Sequence, residues 1–215
     1  MRYYPINLDI RNRVCVVVGG GEVATRKVNM LLRCGAAVRV IGPNVTDELK
    51  ELSRSGKIDL KQRGYQSSDA DENIFLIFGA TDNADINRQV REDAERMKIL
   101  CNIADNPDIS QFTLPAVVNQ GDLILSISTS GKSPALSRII RRELEQIFGP
   151  EYAECLRIMG KIRENLLKKG HDPDSHRRLF RSVLDKGLIQ LLKEENSAGV
   201  RALLTEIFGQ DATIP

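Results

Sequence analysis

Gly19, Gly21 and Ala24 stand in the order G-x-G-x-x-A, the spacing with which a backbone turn receives the pyrophosphate of a dinucleotide. Gly19 permits the tight turn, Gly21 lets a pyrophosphate approach the backbone, and Ala24 lets the next helix lie close to a sheet. Glu22, Val23 and Ala24 open that helix, whose N-terminus presents free N–H groups and a positive dipole end to a phosphate. A second chemical group is Asp105, in Cys101-Asn102-Ile103-Ala104-Asp105-Asn106-Pro107. Its position admits two readings: a carboxylate at the ligand-facing end of a strand, or a turn aspartate bonding its own backbone before Asn-Pro. Arg138, Arg141 and Arg142 form a basic stripe that is either a solvated helix face or a surface for an acidic ligand.

Other signals fail. Ser130-Gly131-Lys132-Ser133 resembles the end of a phosphate-binding loop, but that motif needs glycine where Ser126 stands, and Pro134 follows at once. His171 and His176 are the only histidines and have no third ligand beside them, so solvated surface residues are expected rather than a metal site. Cys15, Cys34, Cys101 and Cys155 contain no C-x-x-C pair. Cys15 and Cys101 fall within apolar runs and read as small buried hydrophobes.

The elements that position the glycines and Asp105 follow from periodicity. The β-branched run Val14 to Val18 reads as a buried strand. Ala24, Val28, Leu31 and Leu32 form one face of the helix after it, with Cys34-Gly35 as its stop. Further strands are predicted at Ala37 to Ile41, Ile58 to Gln62, Ile74 to Phe78 and Ile99 to Ala104. Between them lie a helix capped near Thr46 and another carrying Ile86, Val90, Ala94 and Met97. Such alternation implies a parallel sheet covered on both faces, a Rossmann-like domain over residues 1–110.

The alternation stops there. Phe112 to Val118 and Leu123 to Ser128 predict a hairpin around Asn119-Gln120-Gly121-Asp122. Pro134 opens a helix with Leu136, Ile139, Ile140, Leu144 and Ile147 on one face, closed by Gly149-Pro150. A small Rossmann domain has no obvious use for that apolar face, so residues 111–148 are expected to form a two-fold interface. Residues 149–215 read as helices broken at Gly170-His171-Asp172-Pro173 and at Asn196-Ser197. The fold class is thus α/β: a Rossmann-like sheet, a hairpin/helix dimerisation region and a helical C-terminal region.

Composition sets outer bounds. The 215 residues are 41 % hydrophobic and 28 % charged, with a net charge of +2. That balance argues against a general nucleic-acid binder, and no apolar run reaches the ~18 residues of a membrane span. The N-terminus lacks a signal-peptide apolar region, so the cytoplasm is the expected compartment.

The sequence resembles the precorrin-2 dehydrogenase/sirohydrochlorin ferrochelatase family. The matching residues are Tyr4-Pro5 with Leu8, Val17-Val18-Gly19-Gly20-Gly21-Glu22-Val23-Ala24-Thr25-Arg26-Lys27, Ala80-Thr81-Asp82, Cys101-Asn102-Ile103-Ala104-Asp105, Phe112-Thr113-Leu114-Pro115-Ala116 and Ser128-Thr129-Ser130-Gly131-Lys132-Ser133-Pro134. They span residues 1–148 in order. With no methyltransferase domain following, the chain looks like the stand-alone form.

The resemblance implies NAD-dependent oxidation of precorrin-2 to sirohydrochlorin, in some members followed by insertion of ferrous iron. Asp105 matches the aspartate assigned to both steps, and Pro43 and Asn44 match backbone that contacts the adenosine. Thr81 and Asp82 fall in a matched cofactor-side motif. A homodimer with the active site in its cleft is also implied. The substrate's many carboxylates suit a basic face, so Thr129, Lys132 and Arg138 are read as substrate-binding. There are two departures. The acidic residue expected about 20 positions past the glycines, which bonds the ribose, is replaced by Val38-Arg39-Val40-Ile41-Gly42-Pro43. Thr129 stands where a fused bacterial member carries a phosphorylated serine. The competing reading from another class is a dinucleotide-sensing regulatory protein without catalysis, which needs neither Asp105 nor a basic cleft.

Overall fold

Residues of β1 (Val14–Val18) alternate between two apolar faces, and that alternation sets the layers of the first unit. Cys15 and Val17 join one core, with Ala24, Val28 and Leu31 of α1 (Glu22–Arg33) and Leu49 of α2 (Asp47–Arg54). Val16 and Val18 join another, with Val90 and Ala94 of α3 (Ala84–Arg96). A strand covered on both faces carries apolar residues at every position, and each fully buried valine or leucine stabilises the fold by roughly 1.5–3 kcal/mol. The structure is a computed structural model and describes residues 2–104, 106–168 and 173–209.

Beside β1 lie β2 (Ala37–Ile41), β3 (Ile58–Lys61), β4 (Ile74–Gly79) and β5 (Leu100–Ile103). All pair in parallel, in the order β3-β2-β1-β4-β5. The chain runs outward from β1 through β2 and β3, then returns to β4 on the other side of β1. That reversal opens a crevice at the carboxyl ends of β1 and β4, where open parallel sheets bind ligands. Helices α2 and α3 start where side chains satisfy their first N–H groups: Thr46 accepts from Leu49 N, and Asn83 from Asp85 N and Ile86 N.

The chain divides into two compact units, Met1–Leu114 and Pro115–Pro215. In the second unit, β6 (Ala116–Gln120) and β7 (Leu123–Ile127) form an antiparallel hairpin. It differs from the sequence expectation at both ends of its first strand. Phe112 does not begin that strand. Its ring meets Phe78 edge-on at 5.6 Å between centroids, and its carbonyl accepts from Asn102 Nδ2 at 2.9 Å. Pro115, lacking an N–H, separates this anchor from the ladder. Asn119 and Gln120 are paired with Ile124 and Leu123, so the loop is only Gly121-Asp122, with Gly121 at φ +62.

After the hairpin come α4 (Pro134–Ile147), α5 (Pro150–Lys168), α6 (Pro173–Asp185), α7 (Leu188–Lys193) and α8 (Ser197–Phe208). Helices α5 to α8 enclose their own core of Cys155, Ile158, Ile162, Leu166, Val183, Leu188, Leu203, Leu204 and Phe208. The break between α6 and α7, at left-handed Gly187, has no counterpart in the sequence expectation. In α4 no residue is buried: Leu136 is 48 %, Ile139 51 % and Ile147 58 % exposed. Among the described residues no helix is long and apolar enough to cross a membrane.

Candidate functional site

The crevice is built from three loops pressed together. A Cβ on Gly19, whose φ is +125, would stand 2.2 Å from Ala80 O, so the turn after β1 lies directly on the end of β4. Gly42, after β2, would place a Cβ 3.1 Å from the Gly19 and Gly20 backbone. Hydrogen bonds from Gly19 N to Ile41 O (2.8 Å), Ala80 N to Val18 O (2.7 Å) and Thr46 N to Gly20 O (2.9 Å) hold the loops in register. Thr25 Oγ1 bonds Gly21 O at 3.1 Å and faces Thr46 Oγ1 at 2.9 Å, tying the first turn of α1 to the cap of α2.

Gly21 is different. A Cβ there meets nothing within 4 Å, and as N-cap of α1 it offers no side-chain bond to the helix. By contrast Thr46, Asn83 and Ser133 each cap their helix. The N-terminus of α1, with Glu22, Val23 and Ala24 in its first turn, therefore has open space over Gly21, no capping side chain among the described residues, and a positive dipole end. These residues fit a dinucleotide pyrophosphate.

Pro43 and Asn44 lie exposed on one side of this space, at the end of β2. Thr81 lies on the other side and Asp82 is exposed beside it. The Thr81 hydroxyl is taken up internally: it meets Asn87 Oδ1 at 2.9 Å, while Asn87 Nδ2 donates to Thr81 O at 2.9 Å. Asn87, which sequence reasoning missed, thus fixes the loop after β4.

Asp105 lies outside the described residues. The chain around it is tightly held. Ala104 N donates to Gly79 O at 2.8 Å, and Ile103 N donates to Ser110 Oγ at 2.9 Å. The Cys101 N–H donates to Gln111 Oε1 at 2.9 Å, and Gln111 N returns a bond to Cys101 O. Lys27 reaches across from α1, its Nζ 3.1 Å from Asn102 Oδ1 and 5.1 Å from the centroid of the Phe78 ring. Sequence reasoning missed Lys27, Asn102 and Ser110 as well. The available signal was Asn102, an amide within an otherwise apolar strand, which needs partners once buried.

Thr129, Lys132 and Arg138 all belong to the second unit, at and before the start of α4. Thr129 Oγ1 accepts from Ser133 N at 3.3 Å, and Lys132 N donates to Thr129 O at 3.0 Å, closing a turn that leads into the helix. Lys132, Arg138 and Arg142 are exposed, whereas Arg141 pairs with Glu145 at 2.9 Å. The structure brings the cofactor-side residues together in the first unit and these basic residues together in the second.

Three other groups have structural roles. Burial pushes the Cys15 and Cys101 thiols each up to about 11, which makes them inert core residues. Arg39 pairs with Asp59 at 2.7 Å and with Asp71 at 3.7 Å. Among the described residues no cluster of three or more His, Cys, Asp or Glu side chains is arranged to hold a metal; His171 lies outside them.

The chain is similar to known proteins over nearly its whole length. A family described as "Putative NAD(P)-binding" matches residues 6–116, and one described as "Sirohaem biosynthesis protein central" matches residues 120–147. The siroheme synthase of Nitrosospira multiformis is 34 % identical over 208 residues, 95 % of this chain and 44 % of that protein. That of Chromobacterium violaceum is 33 % identical over 202 residues, 94 % of this chain and 43 % of that protein. The chain thus spans less than half the length of these curated relatives. A solved structure titled "SirC, precorrin-2 dehydrogenase" superposes with a TM-score of 0.79 at 27 % identity, covering 95 % of this chain and 98 % of that one.

Proposed function

Because the chain belongs to the precorrin-2 dehydrogenase/sirohydrochlorin ferrochelatase family, we propose that it oxidises precorrin-2 to sirohydrochlorin with NAD, in the cytoplasm, on the route to sirohaem. The observation that carries the reading is the uncapped N-terminus of α1 facing open space over Gly21, in a chain whose fold matches a precorrin-2 dehydrogenase along nearly its whole length.

A bound NAD would supply the hydride acceptor. The protein's own part is binding, orientation and proton removal. Gly19, Gly21 and the first turn formed by Glu22, Val23 and Ala24 receive the pyrophosphate. Pro43 and Asn44 would hold the adenosine through their backbone, and Thr81 and Asp82 would also contribute to holding the cofactor. Asp105 takes the proton that must leave the macrocycle as the hydride departs, the work of a general base. Thr129, Lys132 and Arg138 bind the substrate's carboxylates through charge-assisted hydrogen bonds.

Insertion of ferrous iron into sirohydrochlorin is the companion step we propose for the same carboxylate, which accepts pyrrole N–H protons as the metal enters. Residues 1–110 serve the cofactor, residues 111–148 pair two subunits through the exposed face of α4, and residues 149–215 complete the helical region. Anaerobic precorrin-2 with NAD, followed spectrally with and without ferrous ion, tests the reading. Formation of sirohydrochlorin supports it, and iron-dependent conversion adds the second step. NAD binding without turnover supports the regulatory alternative instead.

A further inference from the structure

Most dinucleotide sites of this fold read the adenosine ribose with an acid at the end of β2, which bonds the 2′-hydroxyl, or with a nearby arginine, which accommodates a 2′-phosphate. This chain has neither at Ile41-Gly42-Pro43-Asn44. Gly42 has little room for the acid, since its Cβ would press on the Gly19 and Gly20 backbone. Selectivity between the two nucleotides must come from another source.

Basic residues do stand close by. Lys61 ends β3 in register with Ile41, and its carbonyl accepts from Gly42 N at 3.1 Å. The next residue, Gln62, reaches Pro43 O at 3.4 Å, and Arg63 follows it. Lys61 and Arg63 thus lie on the segment that runs alongside the loop expected to meet the ribose. Both point their charge elsewhere. Arg63 makes a fork to Asp69 at 2.6 and 2.7 Å, and Lys61 Nζ lies 3.1 Å from the same carboxylate. Gln66 N supplies a further bond at 3.0 Å. Asp69 is 2 % exposed while its two partners remain 34 % and 39 % exposed. The carboxylate is the fixed point and the cations are the movable ones. Arg39, the one basic residue of β2, is committed to Asp59 and Asp71.

We propose that Asp69 is a specificity-determining residue: by holding Lys61 and Arg63 on its own carboxylate it denies a 2′-phosphate its counter-charge, and so selects NAD over NADP. The inference rests on the dinucleotide reading of the crevice. It needs no contact between Asp69 and the nucleotide, because a buried carboxylate that orients two long cations acts through them. A phosphate brought to the Pro43-Asn44 loop finds every cation of β2, of β3 and at Arg63 already committed to a carboxylate.

Equilibrium titration of NAD and NADP, with thermal unfolding as the check on folding, tests this without recourse to turnover. The native chain binds NAD more tightly than NADP. Asp69→Asn, which keeps shape but removes the charge that holds the pair, shifts the ratio toward NADP by about tenfold, the worth of one charge-assisted bond gained. Adding Arg63→Gln and Lys61→Gln to that variant cancels the shift. Arg63→Gln alone leaves the native ratio unchanged, because that cation is already withheld. A folded Asp69→Asn chain with the native ratio overturns the proposal, as does a loss of NADP affinity on Arg63→Gln alone. Should Asp69→Asn fail to fold, the single Arg63→Gln and Lys61→Gln variants decide by the same criterion. A native chain that binds neither nucleotide removes the dinucleotide reading itself, and this inference with it.

Discussion

The Asn44 carbonyl occupies the place where a side chain on Gly20 would begin: a Cβ there would stand 2.1 Å from the oxygen and 2.5 Å from Val45 Cγ1. The glycine turn after β1 and the loop after β2 are therefore one packed body, not two independent loops, and the middle glycine of the run is structural.

Gly20→Ala and Gly21→Val are accordingly expected to part company. The first forces backbone apart and destabilises by about 1–3 kcal/mol, the usual cost of overpacking, with a visible fall in Tm. The second enters open space at a φ of −81, so Tm stays near native while NAD binding is abolished. Unchanged NAD affinity in Gly21→Val places the pyrophosphate elsewhere.

Asp69 gives the acid limb of the stability curve its sign. The Arg63 guanidinium, with Gln66 N and Lys61, holds its carboxyl well below the ordinary aspartate range. A depressed folded value means that the stabilisation is full above the unfolded value of about 4 and is lost as pH falls below it. Urea midpoints from pH 6 downward are expected to fall less steeply in Asp69→Asn than in the native chain. Parallel acid limbs contradict this.

The exposed row Leu136, Ile139 and Ile147 on α4 is expected to be covered by a second copy of the chain. Light scattering at micromolar concentration should give a dimer, and Ile139→Asp a monomer with its far-UV dichroism intact. A native monomer argues against a shared cleft.

Much of this was legible in the sequence, for reasons that particular residues show. β1 and β4 announce themselves because burial on both faces demands uninterrupted apolar runs such as Val14 to Val18, and the start of α2 because Thr46 is a capping type, whereas Asn83, the cap of α3, was not singled out. Gly19 and Gly21 gave the crevice, but not Gly20 or Gly42, whose reason is contact between loops far apart in sequence. Phe112 read as strand because an aromatic before β-branched residues fits a pleat, while it lies outside any strand and its ring meets Phe78 of β4. Asn87, Lys27 and Asp69 are hidden for the same reason: each is a common surface type whose partners are set only by the fold.

We propose that Asp105, the carboxylate after β5, removes the proton as the hydride leaves the substrate. Asp105→Asn keeps a turn-forming side chain and removes the basicity, so anaerobic oxidation of precorrin-2 by this variant, measured beside its NAD affinity, separates a general base from a turn residue. Native NAD binding with turnover lowered by roughly 10²–10⁴-fold, as for a lost general base, is the predicted result. Native turnover in Asp105→Asn contradicts it and leaves Asp105 a turn residue.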